Sequence, residues 1–263
     1  MPYSKAHFYV LAIIPITVLA FWQSYFGRLS EAPVEHHIHG VSSTLWILLI
    51  AAQSWSIHNK HVTLHKNLGK SLFILTPIMV GAFALVTYAG AEQTVLEHPF
   101  YLMFGEALLT TDVMLTFAIP LQIYLALRFR RQVLLHSALM LSTLTGLLPP
   151  ILARLFAAIM PGMTIRGPDT LYRFEYCLLL AITVSMLLAL YMYWRYRKQG
   201  WPWLFAAGLC LMMFVLYYTL GQSDAWSAWV NWLASQPMIG VFVLGAILGI
   251  VACLTGWKQG KQR

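Results

Sequence analysis

The sequence predicts an all-α protein: a polytopic membrane helix bundle of about eight transmembrane helices, forming one integral membrane domain over residues 1–263. Of its residues, 59% are hydrophobic and only 10% are charged, and the mean hydropathy is +0.68. Eight apolar stretches make up most of the chain, each close to the roughly 20 residues that cross a bilayer. Little sequence remains for a water-soluble domain, so a nucleotide-binding or flavin-binding domain is excluded.

Short polar loops join the predicted spans. The spans lie at about Phe8–Phe26, Ile38–Ile57, Ser71–Ala91, Ala107–Leu127, Val133–Met160, Tyr176–Trp194, Trp201–Leu220 and Pro237–Trp257. The first stretch lacks a small-residue cleavage site and is longer than the apolar region of a signal peptide, so we expect it to remain as a helix. Kinks are predicted where prolines interrupt the spans, at Pro15, Pro77, Pro120, Pro149 and Pro150.

The basic residues predict the orientation of the chain. Thirteen of the 17 Lys and Arg residues fall on one side: Lys5, Lys60, Lys66, Lys70, Arg128, Arg130, Arg131, Arg195, Arg197, Lys198, Lys258, Lys261 and Arg263. The opposite loops hold only Arg28, Arg166 and Arg173. Because cytoplasmic loops are rich in Lys and Arg, we expect both termini in the cytoplasm, in a bacterial inner membrane. The same asymmetry explains the net charge of +8 without a nucleic-acid partner.

The last outer loop, residues 221–236, carries Trp226, Trp229, Trp232 and Leu233 at helical spacing. Indole rings prefer the membrane–water interface, so we predict a short amphipathic helix that lies in the outer interface. The three cysteines lie inside apolar spans without CxxC spacing, which is typical of small core residues.

One face of the second span is polar. His39, Trp46 and Gln53 recur there every seven residues, with Ser43 on the same flank. Such a stripe favours contact with other helices over contact with lipid. A structural role accounts for these residues equally well: Gln53 would hydrogen-bond a neighbouring helix, and Trp46 would only pack.

Histidines cluster at both ends of this span. At the outer end, His36 and His39 share helical spacing, and together with His98 or Glu97 they suggest a transition-metal site or a bis-histidine site. At the inner end, we interpret residues 58–70 as a short basic loop with a solvated surface. His65 differs from the rest of that loop because it leads directly into the third span.

An arginine inside the fifth span is a second signal. Arg154 lies 18 residues after His136, about 27 Å along one helix and near the outer boundary. An intramembrane arginine usually has a partner or an anionic ligand. The candidate partners are Glu106, Asp112 and Glu175, and both a structural ion pair and a substrate contact are open interpretations.

The second to fifth spans resemble a large group of uncharacterised bacterial multi-pass membrane proteins. The pattern of that group is a His-Gly that opens a helix, a mid-helix Gln, a His-Arg-x-x-Gly turn, and a His-x-x-Met helix that ends in Arg. Over residues 36–156 this chain carries His39-Gly40, Gln53, His65-Lys66-Asn67-Leu68-Gly69, His136-Ser137-Ala138-Leu139-Met140 and Arg154. Lys66 and Ser137 stand where the group has arginine. The resemblance implies that the chain belongs to this group, and the group has no settled activity.

The same segments are more distantly similar to four-helix transmembrane cytochromes b, in which histidines of neighbouring helices bind haem b. This similarity implies an axial pair of His65 and His136 near the inner face. It also implies an outer site that contains His39, with His98 as its second ligand. The chain has no CxxCH motif, which excludes covalent haem attachment.

Several functions are compatible with these patterns. The first is a haem-b-binding redox protein that exchanges electrons with quinone or a membrane partner. The second is a small-solute or proton-coupled transporter, suggested by Glu106, Asp112, Gln122 and Arg154 inside the spans. The third is a metal-dependent hydrolase or oxygenase, restricted to an outer site because about 30 Å of hydrocarbon separates the two histidine groups. The fourth is an assembly factor whose polar residues hold helices together.

Overall fold

The fold is described by a computed structural model that covers residues 3–261, without the side chain of Lys198. Arg263, which contributes to the predicted charge asymmetry, lies outside the described residues. The described chain is helical and contains no strand. Its α-helices are α1 (Ala6–Ala20), α2 (Val34–His58), α3 (Val62–Val95), α4 (Pro99–Arg128), α5 (Val133–Ile159), α6 (Arg173–Arg195), α7 (Trp201–Tyr218), α8 (Asp224–Ala234) and α9 (Met238–Gln259).

Seven of these helices, α2 to α7 and α9, are long and apolar enough to cross a membrane. The chain is therefore an all-α, multi-pass membrane protein whose helices contact the lipid bilayer. Helix α1, which corresponds to the first predicted span, has only 15 residues.

The two ends of the α1 segment contact opposite ends of the bundle. Trp203, in the first turn of α7, donates a hydrogen bond from Nε1 to the Tyr3 hydroxyl at 2.9 Å. At the other end, the ring of Phe21 lies 4.6 Å from the guanidinium carbon of Arg154, near the end of α5. Tyr3 also packs against Ala138 near the start of α5, so residues 3–21 run alongside most of that helix.

Several helices are longer than the predicted spans. Helix α3 begins at Val62 rather than Ser71, so His65 lies on a helix and not in the predicted basic loop. Helix α4 likewise begins at Pro99 rather than Ala107. Polar first turns continue α3 beyond its apolar stretch, which hydropathy alone does not detect, whereas the added turns of α4 are mostly apolar and aromatic. The prolines predicted to interrupt the spans all lie within continuous helices.

Helix α9 packs unusually closely against α3 and α4. A Cβ atom added at Gly245 would lie 2.8 Å from the carbonyl oxygen of Val80, and one added at Gly256 would lie 2.6 Å from that of Tyr124. Small residues four apart let helix backbones approach each other in a membrane. The glycines of α9 are therefore its contact face.

Helix α8 is the predicted Trp-rich amphipathic helix. Trp226, Val230 and Leu233 are buried on one face, whereas Trp232 is 54% exposed. The Trp226 indole donates to the backbone carbonyl of Glu106 at 2.7 Å, which ties α8 to α4.

Candidate functional site

Two histidines approach each other at the inner end of the bundle, one from α3 and one from α5. His65 and His136 interact electrostatically, and both side chains are half-buried. The Nδ1 of His136 lies 2.8 Å from the carbonyl oxygen of Ala126 at the end of α4. The Nδ1 of His65 lies 3.3 Å from the carbonyl oxygen of Gln53 on α2. Four helices thus position these two residues, which we call the inner pair.

The backbone contacts determine which ring nitrogen of each inner histidine is available. A carbonyl oxygen only accepts hydrogen bonds, so Nδ1 carries the hydrogen in both neutral rings. Neither Nε2 has a hydrogen-bond partner among the described residues. The inner pair therefore presents two unprotonated nitrogens, the form in which imidazole binds a metal.

A second polar group lies near the outer end, around Arg154 of α5. Its guanidinium covers the Phe21 ring and donates from Nη1 to the carbonyl oxygen of Pro150 at 3.2 Å. It interacts electrostatically with Tyr101 and Asp112 of α4. No carboxylate oxygen lies within 4.0 Å of it in the described chain. Arg154 therefore has electrostatic partners but no ion pair in direct contact.

Two histidines of α2 complete this group. His36 and His39 both interact electrostatically with Arg154 and with each other. The ring of His39 stands edge-on to Phe83 of α3, with centroids 4.9 Å apart. We call His36, His39, Tyr101, Asp112 and Arg154 the outer cluster.

The outer cluster contains unsatisfied polar atoms. The buried Nδ1 atoms of His36 and His39 have no hydrogen-bond partner, and neither do two buried oxygens beside them on α2, Oε2 of Glu35 and the hydroxyl of Ser43. The carboxyl group of Asp112 accepts no hydrogen bond from the described residues, yet its side chain is only half-buried. Buried polar groups are normally paired. The cluster therefore has the hydrogen-bonding capacity to hold a further molecule.

Two of the three predicted partners of Arg154 are engaged elsewhere. Glu106 accepts a hydrogen bond from the hydroxyl of Ser227 on α8. Glu175 accepts one from the hydroxyl of Tyr218 at 2.7 Å, joining α6 to α7. Asp112 is the candidate that shares an electrostatic interaction with Arg154.

The residues predicted as outer metal ligands are only partly brought together. His98 is the residue just before α4, at its N-cap position. Its side chain is exposed and stands edge-on to the ring of Tyr101. Within residues 3–261, no group of three or more His, Cys, Asp or Glu side chains is arranged to hold a metal ion. The geometry gives a three-ligand site of His36, His39 and His98 no support.

A closely packed layer separates the inner pair from the outer cluster. Trp46, Met79 and Ile119 are 0%, 0% and 1% exposed in the middle of α2, α3 and α4, and the buried polar side chains of Gln122 and Ser142 hydrogen-bond to each other there. Within this layer the Trp46 indole donates to the hydroxyl of Thr143 on α5 at 3.0 Å. His39 and Gln53 lie 14 residues apart on α2, or about 21 Å along its axis. The two polar groups are therefore distinct sites.

Sequence reasoning missed two members of the outer region. Tyr101 lies 11 residues before Asp112, about three helical turns, so a search along one face of α4 would have found it. Phe21 carries no such signal, because its contact with Arg154 depends on how α1 packs against α5.

Comparisons with known proteins add no family to this description. The chain matches no protein-family model, and no curated protein or solved structure is similar to it.

Proposed function

We propose that this chain is a membrane redox protein that binds haem b between His65 and His136 and exchanges electrons with quinone or a membrane partner. The observation that carries the proposal is the inner pair, in which both Nδ1 atoms contact backbone carbonyls. Histidines that bind metals donate their second N–H to such an acceptor, which fixes the ring and directs the other nitrogen to the metal. The donor set fits haem b, which would supply one-electron exchange when bound.

The chain's own residues would hold and orient this group. The carbonyls of Gln53 and Ala126 would keep the two imidazoles in the required tautomer. The closely packed layer around Trp46 favours electron exchange over ion passage, because a hydrated charge is costly to place among buried side chains. Transport through Asp112 and Arg154 is the alternative function, and it requires this layer to open.

We also propose eight membrane crossings, with both termini in the cytoplasm of a bacterial cell. The contacts of Tyr3 and Phe21 with opposite ends of the bundle support a crossing by the α1 segment. The basic residues of alternate loops support the orientation. Cysteine accessibility to a membrane-impermeant reagent would test it. A cysteine replacing Lys5 should react only after the inner face is opened, whereas one replacing Arg28 should react in intact cells.

A reduced-minus-oxidised visible spectrum tests the haem proposal. Protein expressed with a haem supply should show a b-type signal with one iron per chain. His65→Ala and His136→Ala should each lose that signal, because each removes one of the two side chains that would hold the haem. His61→Ala is the matched control, because this exposed histidine at the same membrane face stacks on Trp55 instead.

Folding must be checked in the same samples by circular dichroism and size-exclusion chromatography. A featureless spectrum from folded wild-type protein, or full haem content in folded His65→Ala and His136→Ala, would contradict the proposal. Asp112→Asn separates the haem proposal from the transport alternative. The variant should keep the haem spectrum of a redox protein. In a transporter, the same substitution should abolish movement of the solute or proton.

A further inference from the structure

The outer cluster has features of a ligand site that the inner pair does not explain. Unpaired buried atoms lie one helical turn apart on α2, at His36, His39 and Ser43. The Asp112 carboxyl group on α4 and the Arg154 guanidinium on α5 lie close enough to interact but form no ion pair. Three helices thus bring polar groups close to one another near the outer end.

The charges of the cluster favour a neutral ligand. Arg154 carries a positive charge, whereas Asp112 and Glu35, which interacts with His36, carry carboxylates, and histidines are mostly neutral at pH 7. A bound anion would be attracted by Arg154 but repelled by the two carboxylates, and a bound cation would be repelled by Arg154. A neutral molecule avoids both penalties.

The hydrogen-bonding groups restrict the ligand further. Arg154, Tyr101 and the imidazoles can donate, whereas the Asp112 carboxylate only accepts. A matching ligand therefore carries an acceptor at one position and a hydroxyl donor at another. The rings of Phe21 and Phe83 border Arg154 and His39, so the surroundings also suit a flat ring.

We propose that the outer cluster binds the headgroup of a quinol or quinone. Arg154 and His39 donate to a ring oxygen, and Asp112 accepts from the hydroxyl of the quinol. A membrane-soluble ring with a carbonyl or hydroxyl at each end meets the requirements of neutrality, shape and opposed donors and acceptors. The inference deepens the proposed function by assigning its quinone to this site, but headgroup binding itself does not require haem.

Calorimetric titration of the detergent-purified full chain with duroquinol and duroquinone tests the site. We expect saturable binding with one site per chain. Asp112→Asn should weaken duroquinol binding about fivefold or more, because a hydrogen bond to a charged carboxylate is replaced by a weaker one to a neutral amide. Glu106→Gln is the matched control, since this carboxyl group on the same helix bonds Ser227 on α8 instead, and its affinity should equal that of the wild type.

A second measurement covers the case in which Asp112→Asn fails to fold. An azido-quinone cross-linked to wild-type protein should label peptides of α2, α4 or α5 near the outer cluster. Labelling confined to other segments, no saturable binding by wild-type protein, or preferential binding of benzoate as a competing anion would each overturn the proposal.

The haem-free His136→Ala variant separates this inference from the proposed function. Quinol binding that persists in that variant supports the outer site whether or not haem binds elsewhere. If the wild type shows a haem spectrum but no quinol binding, the outer assignment is wrong while the haem proposal stands.

Discussion

A methyl group added at Gly249 tests how closely α9 packs on α3. The new Cβ atom would lie 2.8 Å from Cα and 3.0 Å from N of Pro77, and 3.1 Å from the carbonyl oxygen of Thr76. These are backbone atoms, so they can move away only if one helix shifts relative to the other. Overpacking of this kind costs about 1–3 kcal/mol, and we expect Gly249→Ala to lose stability by that amount.

Gly208 on α7 provides the matched control. A Cβ atom added there has nothing within 4 Å, so Gly208→Ala creates no steric conflict. It gains up to about 1 kcal/mol from the higher helix propensity of alanine. The two variants should therefore differ by about 1–4 kcal/mol, which is roughly 5-fold to 700-fold in the unfolding equilibrium.

Unfolding in mixed micelles, titrated with sodium dodecyl sulfate and followed by tryptophan fluorescence and circular dichroism, measures this difference. Gly249→Ala should unfold at a lower detergent fraction than wild type, and Gly208→Ala at the same fraction or a higher one. Equal midpoints for the two variants would refute the close approach of α9 to α3.

Two further perturbations test other contacts. Trp46→Phe removes the indole donor to Thr143 inside the closely packed layer. Interhelical hydrogen bonds in membranes average about 0.6 kcal/mol, so the same detergent titration should show at least that loss of stability. An unchanged midpoint would argue against the contact. Ser227→Ala removes the bond from α8 to the Glu106 carboxylate, worth about 1.5–3 kcal/mol, and amide hydrogen exchange in α8 should become faster. Ser235→Ala, which removes only local bonds at the exposed end of α8, should leave that exchange unchanged.

Hydropathy predicted the membrane class well, because the length of an apolar stretch is set by the thickness of the bilayer. It predicted helix ends poorly. Residues such as Lys66 and Asn67 in the first turns of α3 are polar yet helical, and hydropathy does not distinguish a helix that extends into water from a loop. The placement of His65 on a helix follows from the structure and not from the sequence pattern.

The sequence predicted which residues belong to the candidate sites, but not which of them lie next to each other. His39, His65, His136 and Arg154 stand out because polar side chains are costly in lipid. The sequence did not select Asp112 over Glu106 as the neighbour of Arg154, since depth along a helix follows from residue number whereas rotation about its axis depends on packing. For the same reason the exposure of His98 on the surface of the bundle was not foreseen.

The hydrogen bond between Trp46 and Thr143 sets a common register for both faces of the protein. Trp46 stands seven residues from His39 in one direction and seven from Gln53 in the other. A slide of α2 by one helical turn, about 5.4 Å, would withdraw His39 from Arg154 and the Gln53 carbonyl from His65 in a single movement. Helix α2 thus couples the two faces of the membrane: a displacement that breaks its contact at one face also breaks its contact at the other.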